Sequence, residues 1–182
     1  MPKFVVLLRG VNVGKAKRVP MAEFRTLLEG LGYTEVSTLL NSGNAVFSSA
    51  TKSTPAKHAA SIRAALLEQL QVDVPVIVKS AKEMATAVAE NTVEIAADLH
   101  SRFLVAFTQE SGDLAKLAAV EPLLHPDERF AIGSQAAYLF CAVGILESQA
   151  GAAMLGKIGR GATTRNWATT LKLLALLDAD RA

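Results

Sequence analysis

Two short basic stretches, both free of acidic residues, carry the clearest chemical signal in this chain. Arg9 to Arg18 (RGVNVGKAKR) lies near the start and Lys157 to Arg165 (KIGRGATTR) near the end. Together they hold Arg9, Lys15, Lys17, Arg18, Lys157, Arg160 and Arg165, seven of the chain's 19 Lys and Arg. Gly10, Gly14, Gly156, Gly159 and Gly161 sit in or beside them. Glycine lets backbone approach a ligand closely, and N–H groups at a helix start together with cations favour an anion. That chemistry specifies a charge and names no reaction.

The first stretch departs from the phosphate loop of nucleotide triphosphatases. That loop needs four residues between its glycines and a Ser or Thr after its lysine. Here three residues separate Gly10 from Gly14, and Ala16 follows Lys15. The glycines still suit a smaller phosphate; a solvated surface loop is the alternative. In the second stretch, Thr163-Thr164-Arg165-Asn166-Trp167 reads as the entry to the last helix, capped by a threonine. A cation at Arg165 in the first turn opposes the helix dipole, which points to an acidic partner or a bound anion. Trp167 shares a face with Leu171, Leu174 and Leu177 and reads as core before it reads as a stacking platform.

Other chemistries find little support. His58, His100 and His125 are scattered, so no metal site is expected, and no cofactor is expected either. No nucleophile elbow and no RNA-binding aromatic signature appear. Cys141, the single cysteine, lies in an apolar run and reads as a small core residue in a reducing compartment. The 182 residues are 51% hydrophobic and 20% charged, the balance of a folded globular protein. A net charge of +2 is too weak to imply nucleic acid by itself, so only the clustering informs. The first residues lack the apolar stretch of a secretion signal. The uncharged run from Phe130 to Leu146 is interrupted by Gly133, Ser134, Gln135 and Gly144 and reads as a hairpin. These features predict a cytoplasmic protein with no membrane partner.

Periodicity supplies the elements that must position the basic loops. Lys3–Leu8 reads as a buried strand, and Met21, Phe24, Leu27, Leu28 and Leu31 mark a helix entered at Pro20 and stopped at Gly32. Strands follow at Val36–Leu40 and Ala45–Ser48 around a Ser42-Gly43-Asn44 turn, then a helix from Pro55 and a strand at Val74–Lys79. Ser80 to Glu83 fits a capping box that opens a linking helix to about Asn91. The second half starts a similar series: a strand at Arg102–Thr108, a helix at Asp113–Leu124, strands at Glu128–Ile132 and Ala136–Val143, and helices at Glu147–Leu155 and Arg165–Asp178.

The fold class expected is therefore α/β (α+β): duplicated ferredoxin-like βαββαβ units, mainly antiparallel, with a C-terminal helix. The boundaries expected are 1–80 for the first unit, 81–101 for a linking helix and loop, and 102–182 for the second. One continuous sheet or two separate sheets both satisfy this order. In the first unit, the loop after Leu8 and the turn at Ser42-Gly43-Asn44 must lie at the same end of the sheet. The candidate anion-binding residues are thus Arg9, Asn12, Lys15, Ser42 and Asn44, with Lys157, Arg160, Arg165 and Asn166 from the second stretch. Asn12, Ser42 and Asn44 equally suit the role of satisfying turn backbones.

LLRGVNVGKAKRVPMAEFRTLLEGLGY, VSTLLNSGNAVF and TTRNWATTLKLL, in that order, resemble the bacterial domain-of-unknown-function family 1697 (DUF1697). Its first motif is commonly R-G-[IV]-N-V-G-G; here Lys15 stands where the second glycine is common. The resemblance implies an α/β fold with ferredoxin-like parts and implies no activity. Three functions follow as alternatives. One is binding of a phosphate-bearing ligand, nucleic acid or nucleotide. Another is an enzyme acting on a small anionic substrate, with its general base still to be found. The third is a protein-interaction or assembly module. The sequence leaves the oligomeric state open.

Overall fold

The computed structural model describes residues 1–14 and 17–179. Its contacts divide the chain into two compact units, one of residues 1–82 with the segment from Leu173 onward, the other of Glu83–Lys172.

The first unit runs β1 (Lys3–Leu8), α1 (Met21–Gly30), β2 (Thr34–Leu39), β3 (Asn44–Ser48), α2 (Pro55–Leu70) and β4 (Val76–Ser80). Its sheet has the order β2-β3-β1-β4, with every neighbouring pair antiparallel. β1 is central and buried from Phe4 to Leu8, which is why it reads as an unbroken apolar run. Phe4, Val6 and Leu8 share one face with Ala45, Phe47, Val76 and Val78, and pack with Phe24 and Leu28 of α1 and Ile62 and Leu66 of α2. Burying each such large side chain stabilises the fold by roughly 1.5–3 kcal/mol. The Thr54 hydroxyl accepts from the Lys57 N–H at 3.3 Å to cap α2, and Pro55 takes the first helical position.

β2 is irregular. Its register against β3 shifts between Thr34 and Ser37, and Glu35 within that bulge has φ 51°. A side chain in this left-handed region costs about 1–2 kcal/mol. The bulge sets the Glu35 carboxylate against the Ser48 hydroxyl, which donates to it at 2.5 Å.

The second unit takes in most of α3 (Ala81–Ala89) and a 3-10 helix over Ala97–Arg102. It continues with β5 (Phe103–Thr108), α4 (Ser111–Lys116), a 3-10 helix over Leu117–Leu123, β6 (Arg129–Ile132), β7 (Ala136–Phe140), α5 (Gln149–Leu155), β8 (Ala162–Asn166) and α6 (Trp167–Asp178). Its sheet is again antiparallel, in the order β6-β7-β5-β8. The chain is thus a mixed α/β protein of two four-stranded sheets, each built on the same βαββαβ order. α6 is divided: it belongs to the second unit as far as Lys172 and to the first from Leu173.

Three sequence expectations need correction. The segment 162–166, read partly as the start of the last helix, is a strand paired with β5 from Leu104↔Asn166 to Thr108↔Ala162. The helix expected over 113–124 narrows into a 3-10 turn from Leu117, and that turn contains Pro122, which lacks a backbone donor. The strand expected over 74–79 begins only after Pro75.

The repeat extends to individual positions. In the first sheet Val5 pairs with Val46 on one side and Lys79 on the other; in the second, Val105 pairs with Tyr138 and Arg165. Lys79 and Arg165 are 5% and 8% exposed, so each sheet carries one buried cation at the same place on its fourth strand.

His58 of α2 lies in the first core among Phe4, Tyr33 and Phe47, with its Nδ1 2.8 Å from the Tyr33 hydroxyl and its Nε2 buried without a partner. Burial lowers its pKa from the ordinary 6.5. The unfolded chain therefore takes up this proton at a higher pH than the folded chain. The His58 contribution to stability is fully present above its unfolded value near 6.5 and is lost as the pH falls through the lowered folded value. Urea titrations across this window are expected to show that slope in the native protein and a reduced slope in His58→Phe.

Candidate functional site

The expected meeting of the first basic loop and the β2–β3 turn is present in the first unit. β1 delivers Arg9 to the end of the sheet where β3 begins, since Leu7 pairs with Asn44 and the Leu8 N–H donates to the Gly43 carbonyl at 2.9 Å. Gly43 has φ 84°, and a Cβ there would lie 2.7 Å from both Leu8 Cβ and Val11 Cγ2. Only glycine fits that contact.

Asn12 holds the loop. Its side-chain amide donates to the Val19 carbonyl at 2.8 Å and the Asn41 carbonyl at 2.6 Å, and its Oδ1 accepts from the Val19 N–H at 2.8 Å. Its own N–H donates to the Lys17 carbonyl at 3.1 Å. One side chain thus closes the loop and ties it to the neighbouring turn. Asn44 is fully buried and donates to the Leu39 carbonyl at 2.9 Å and to the Ser42 hydroxyl at 2.8 Å. Both asparagines brace the chain's own loop and turn.

The described part of the loop is open. Gly10, Asn12, Gly14 and Lys17 all have positive φ, and among the described residues nothing lies within 4 Å of a Cβ built on Gly10 or Gly14. Arg9 is half-buried; Ser42 and Arg18 are exposed. The Lys17 ammonium donates to the Asp73 carbonyl at 2.6 Å. Lys15 lies outside the described residues. α1 follows at once, and its N-cap position, Pro20, offers no side-chain cap.

The second basic stretch lies in the other unit, between α5 and β8. Lys157 and Arg160 are exposed. Gly159 is buried, and a Cβ there would meet the Met154 carbonyl oxygen at 1.7 Å, so it serves the chain's own turn. Asp113, paired with Lys116 at 3.0 Å, packs against Gly161 and gives this loop an acidic neighbour that the sequence pattern did not reveal.

Arg165 corrects the helix-start expectation. It sits in β8, and its guanidinium donates to the Thr163 hydroxyl at 2.8 Å and the Thr164 carbonyl at 2.7 Å. Burial lowers its pKa to about 10, so it stays charged at neutral pH. Asn166, not a threonine, bonds the start of α6: its Oδ1 accepts from the Thr169 N–H at 2.8 Å. Trp167 is half-buried and lies against Phe103, ring centroids 5.2 Å apart.

Cys141, His125 and His100 are occupied elsewhere. Cys141 is fully buried, and desolvation, eased by the Ser148 hydroxyl and reinforced by Glu128, pushes its thiol up to about 11. It is a protonated core thiol at neutral pH. His125 Nδ1 accepts from the Asp127 N–H at 3.2 Å, and a ring nitrogen of His100 lies 3.2 Å from the Ile95 carbonyl. Among the described residues no group of three His, Cys, Asp or Glu is placed to hold a metal ion, and no helix is long and apolar enough to cross a membrane.

This fold and its braced loop can be set beside known proteins. A family model described as "Protein of unknown function (DUF1697)" matches residues 1–138. The chain belongs to the DUF1697 family. The match contains the Arg9 loop and the Ser42 turn, whereas the Thr163–Trp167 motif lies beyond it. The conserved bacterial protein SP0830 from Streptococcus pneumoniae has a similar structure, with a TM-score of 0.80 and 25% sequence identity over 97% of this chain and 98% of that one. Structural similarity therefore extends through both units. No curated protein matches the chain.

Asn12→Ala removes three side-chain bonds and places alanine at φ 56°. A loss of about 1–3 kcal/mol is expected in chemical denaturation. Gly159→Ala drives a methyl into the Met154 carbonyl and is expected to cost about 3 kcal/mol or more, read as a lowered melting temperature.

Proposed function

We propose that this DUF1697 protein binds a phosphate-bearing ligand, a nucleic-acid segment or nucleotide, through the loop from Arg9 to Val19. The observation that carries this reading is the Asn12 brace on a loop whose described residues stand open. Left-handed residues recur at alternate positions, Gly10, Asn12 and Gly14, and among the described residues nothing lies within 4 Å of a Cβ built on either glycine. Such a backbone is suited to receive an anion without reorganising. Arg18 stands exposed beside it, and the uncapped start of α1 adds peptide N–H groups close by. Glu23 already brings one negative charge to that turn, so the cations of the loop are needed for a net positive field. In this reading Arg9, Arg18 and Lys15 meet the ligand, while Asn12, Ser42 and Asn44 hold the backbone that presents them.

The second stretch contributes as a separate basic surface. Its accessible cations are Lys157 and Arg160, with Arg165 and Asn166 shaping β8 and the start of α6. The βαββαβ order and strand arrangement support reading each unit as ferredoxin-like. That analogy of fold adds nothing to the choice of ligand.

Binding through phosphates must weaken steeply with salt, with a log–log slope of roughly 0.9 per phosphate contact on duplex DNA. Titration with mixed oligonucleotides at two salt concentrations is expected to show this slope. Arg18→Ala is expected to reduce the slope by about one contact. Absence of binding at low salt, or binding unchanged by Arg9→Ala combined with Arg18→Ala, would refute the proposal.

A further inference from the structure

The opposite end of the first sheet, where β1 begins, holds a cleft that no sequence motif marks. A cavity of about 490 Å³ is lined by Lys3, Glu35, Ser80, Lys82 and Leu177, with Pro2 at its rim. A second, of about 330 Å³, shares Lys3 and Glu35 and is walled by Val46, Ser48 and Leu176. All of these residues belong to the first unit. The two cavities thus meet at one lysine and one carboxylate, with hydroxyls nearby and aliphatic side chains from α6.

The distinctive residue is Glu35. Asn12, Lys17, Leu40 and Gln71 share its left-handed backbone, but Glu35 is the exposed one that lies inside a strand, where the β2 bulge sets its carboxylate on the Ser48 hydroxyl. An exposed glutamate gains nothing in packing from a conformation that most side chains avoid. Backbone strain of this kind gathers where a side chain must be aimed. Here the carboxylate is aimed into a cleft that also holds the exposed ammonium group of Lys82. A simple anion would meet Glu35, and a simple cation would meet Lys3 and Lys82. A ligand bearing both charges satisfies both ends at once.

We propose that this cleft binds a small zwitterion of the α-amino acid class with an aliphatic side chain. The ligand ammonium donates to Glu35, its carboxylate accepts from Lys82, and its side chain lies against Val46, Leu176 and Leu177. The cavity volume is ample for such a molecule, within the range typical of small-ligand sites. This site is independent of the phosphate-binding reading, because the Arg9 loop lies at the other end of β1.

The test is an NMR titration of the full chain with L-leucine, N-acetyl-leucine and leucine amide, following the amide signals of Ser48 and Lys82. Leucine is expected to shift them saturably below about 10 mM, and both single-charge analogues to bind at least about tenfold more weakly. Glu35→Gln is expected to erase the preference for leucine over N-acetyl-leucine. Lys82→Ala, an exposed position, is expected to erase the preference over leucine amide and keeps the test alive if the first variant does not fold. No shift with leucine, or an analogue binding as well as leucine, would overturn the proposal.

Discussion

Each sheet is organised by a central strand that must be dry on both sides. β1 is buried from Phe4 to Leu8 and β5 from Phe103 to Thr108. A strand in that position has no solvated face on which to carry charge, and its peptide groups are satisfied by the strands on either side. Polar and charged side chains are therefore displaced to the strand ends and to the outer strands. The Arg9 loop leaves the end of β1, the Glu35 cleft opens at its start, and the two buried cations, Lys79 and Arg165, stand on outer strands.

This constraint explains what could be read from the sequence. An apolar run such as KFVVLL has one structural use, and its bounds were legible to the residue. Helices with a clear stripe, a capping threonine or an initial proline were legible too, as with Thr54-Pro55 at the start of α2. The strand β8 was not. Thr163 and Thr164 have good strand propensity, but Arg165 in a buried strand contradicts the expected polarity, and the leucine spacing after Trp167 extends the helical pattern backwards. Only pairing with β5 decides between the two, and pairing across more than fifty residues leaves no local trace.

The candidate site divides along the same line. That Asn12, Ser42 and Asn44 would gather near Arg9 followed from strand direction alone. What each does there depends on partners chosen by the tertiary fold. Asn12 reaches the Asn41 carbonyl across 29 positions, and that bond turns it from a possible ligand contact into a brace. Glu35 lay beyond sequence reasoning altogether, because nothing in Thr34-Glu35-Val36 announces a left-handed residue inside a strand.

The division of α6 has a consequence for how the chain folds. The second unit is complete in sequence by Lys172, while the first still lacks the segment from Leu173 onward, in which Leu173 and Leu177 are buried. The first unit therefore closes on contacts between segments that the 90 residues of Glu83–Lys172 separate, whereas the second draws on one continuous stretch. The loop that has to close is the whole of the second unit, and chain entropy charges for such a loop only as the logarithm of its length.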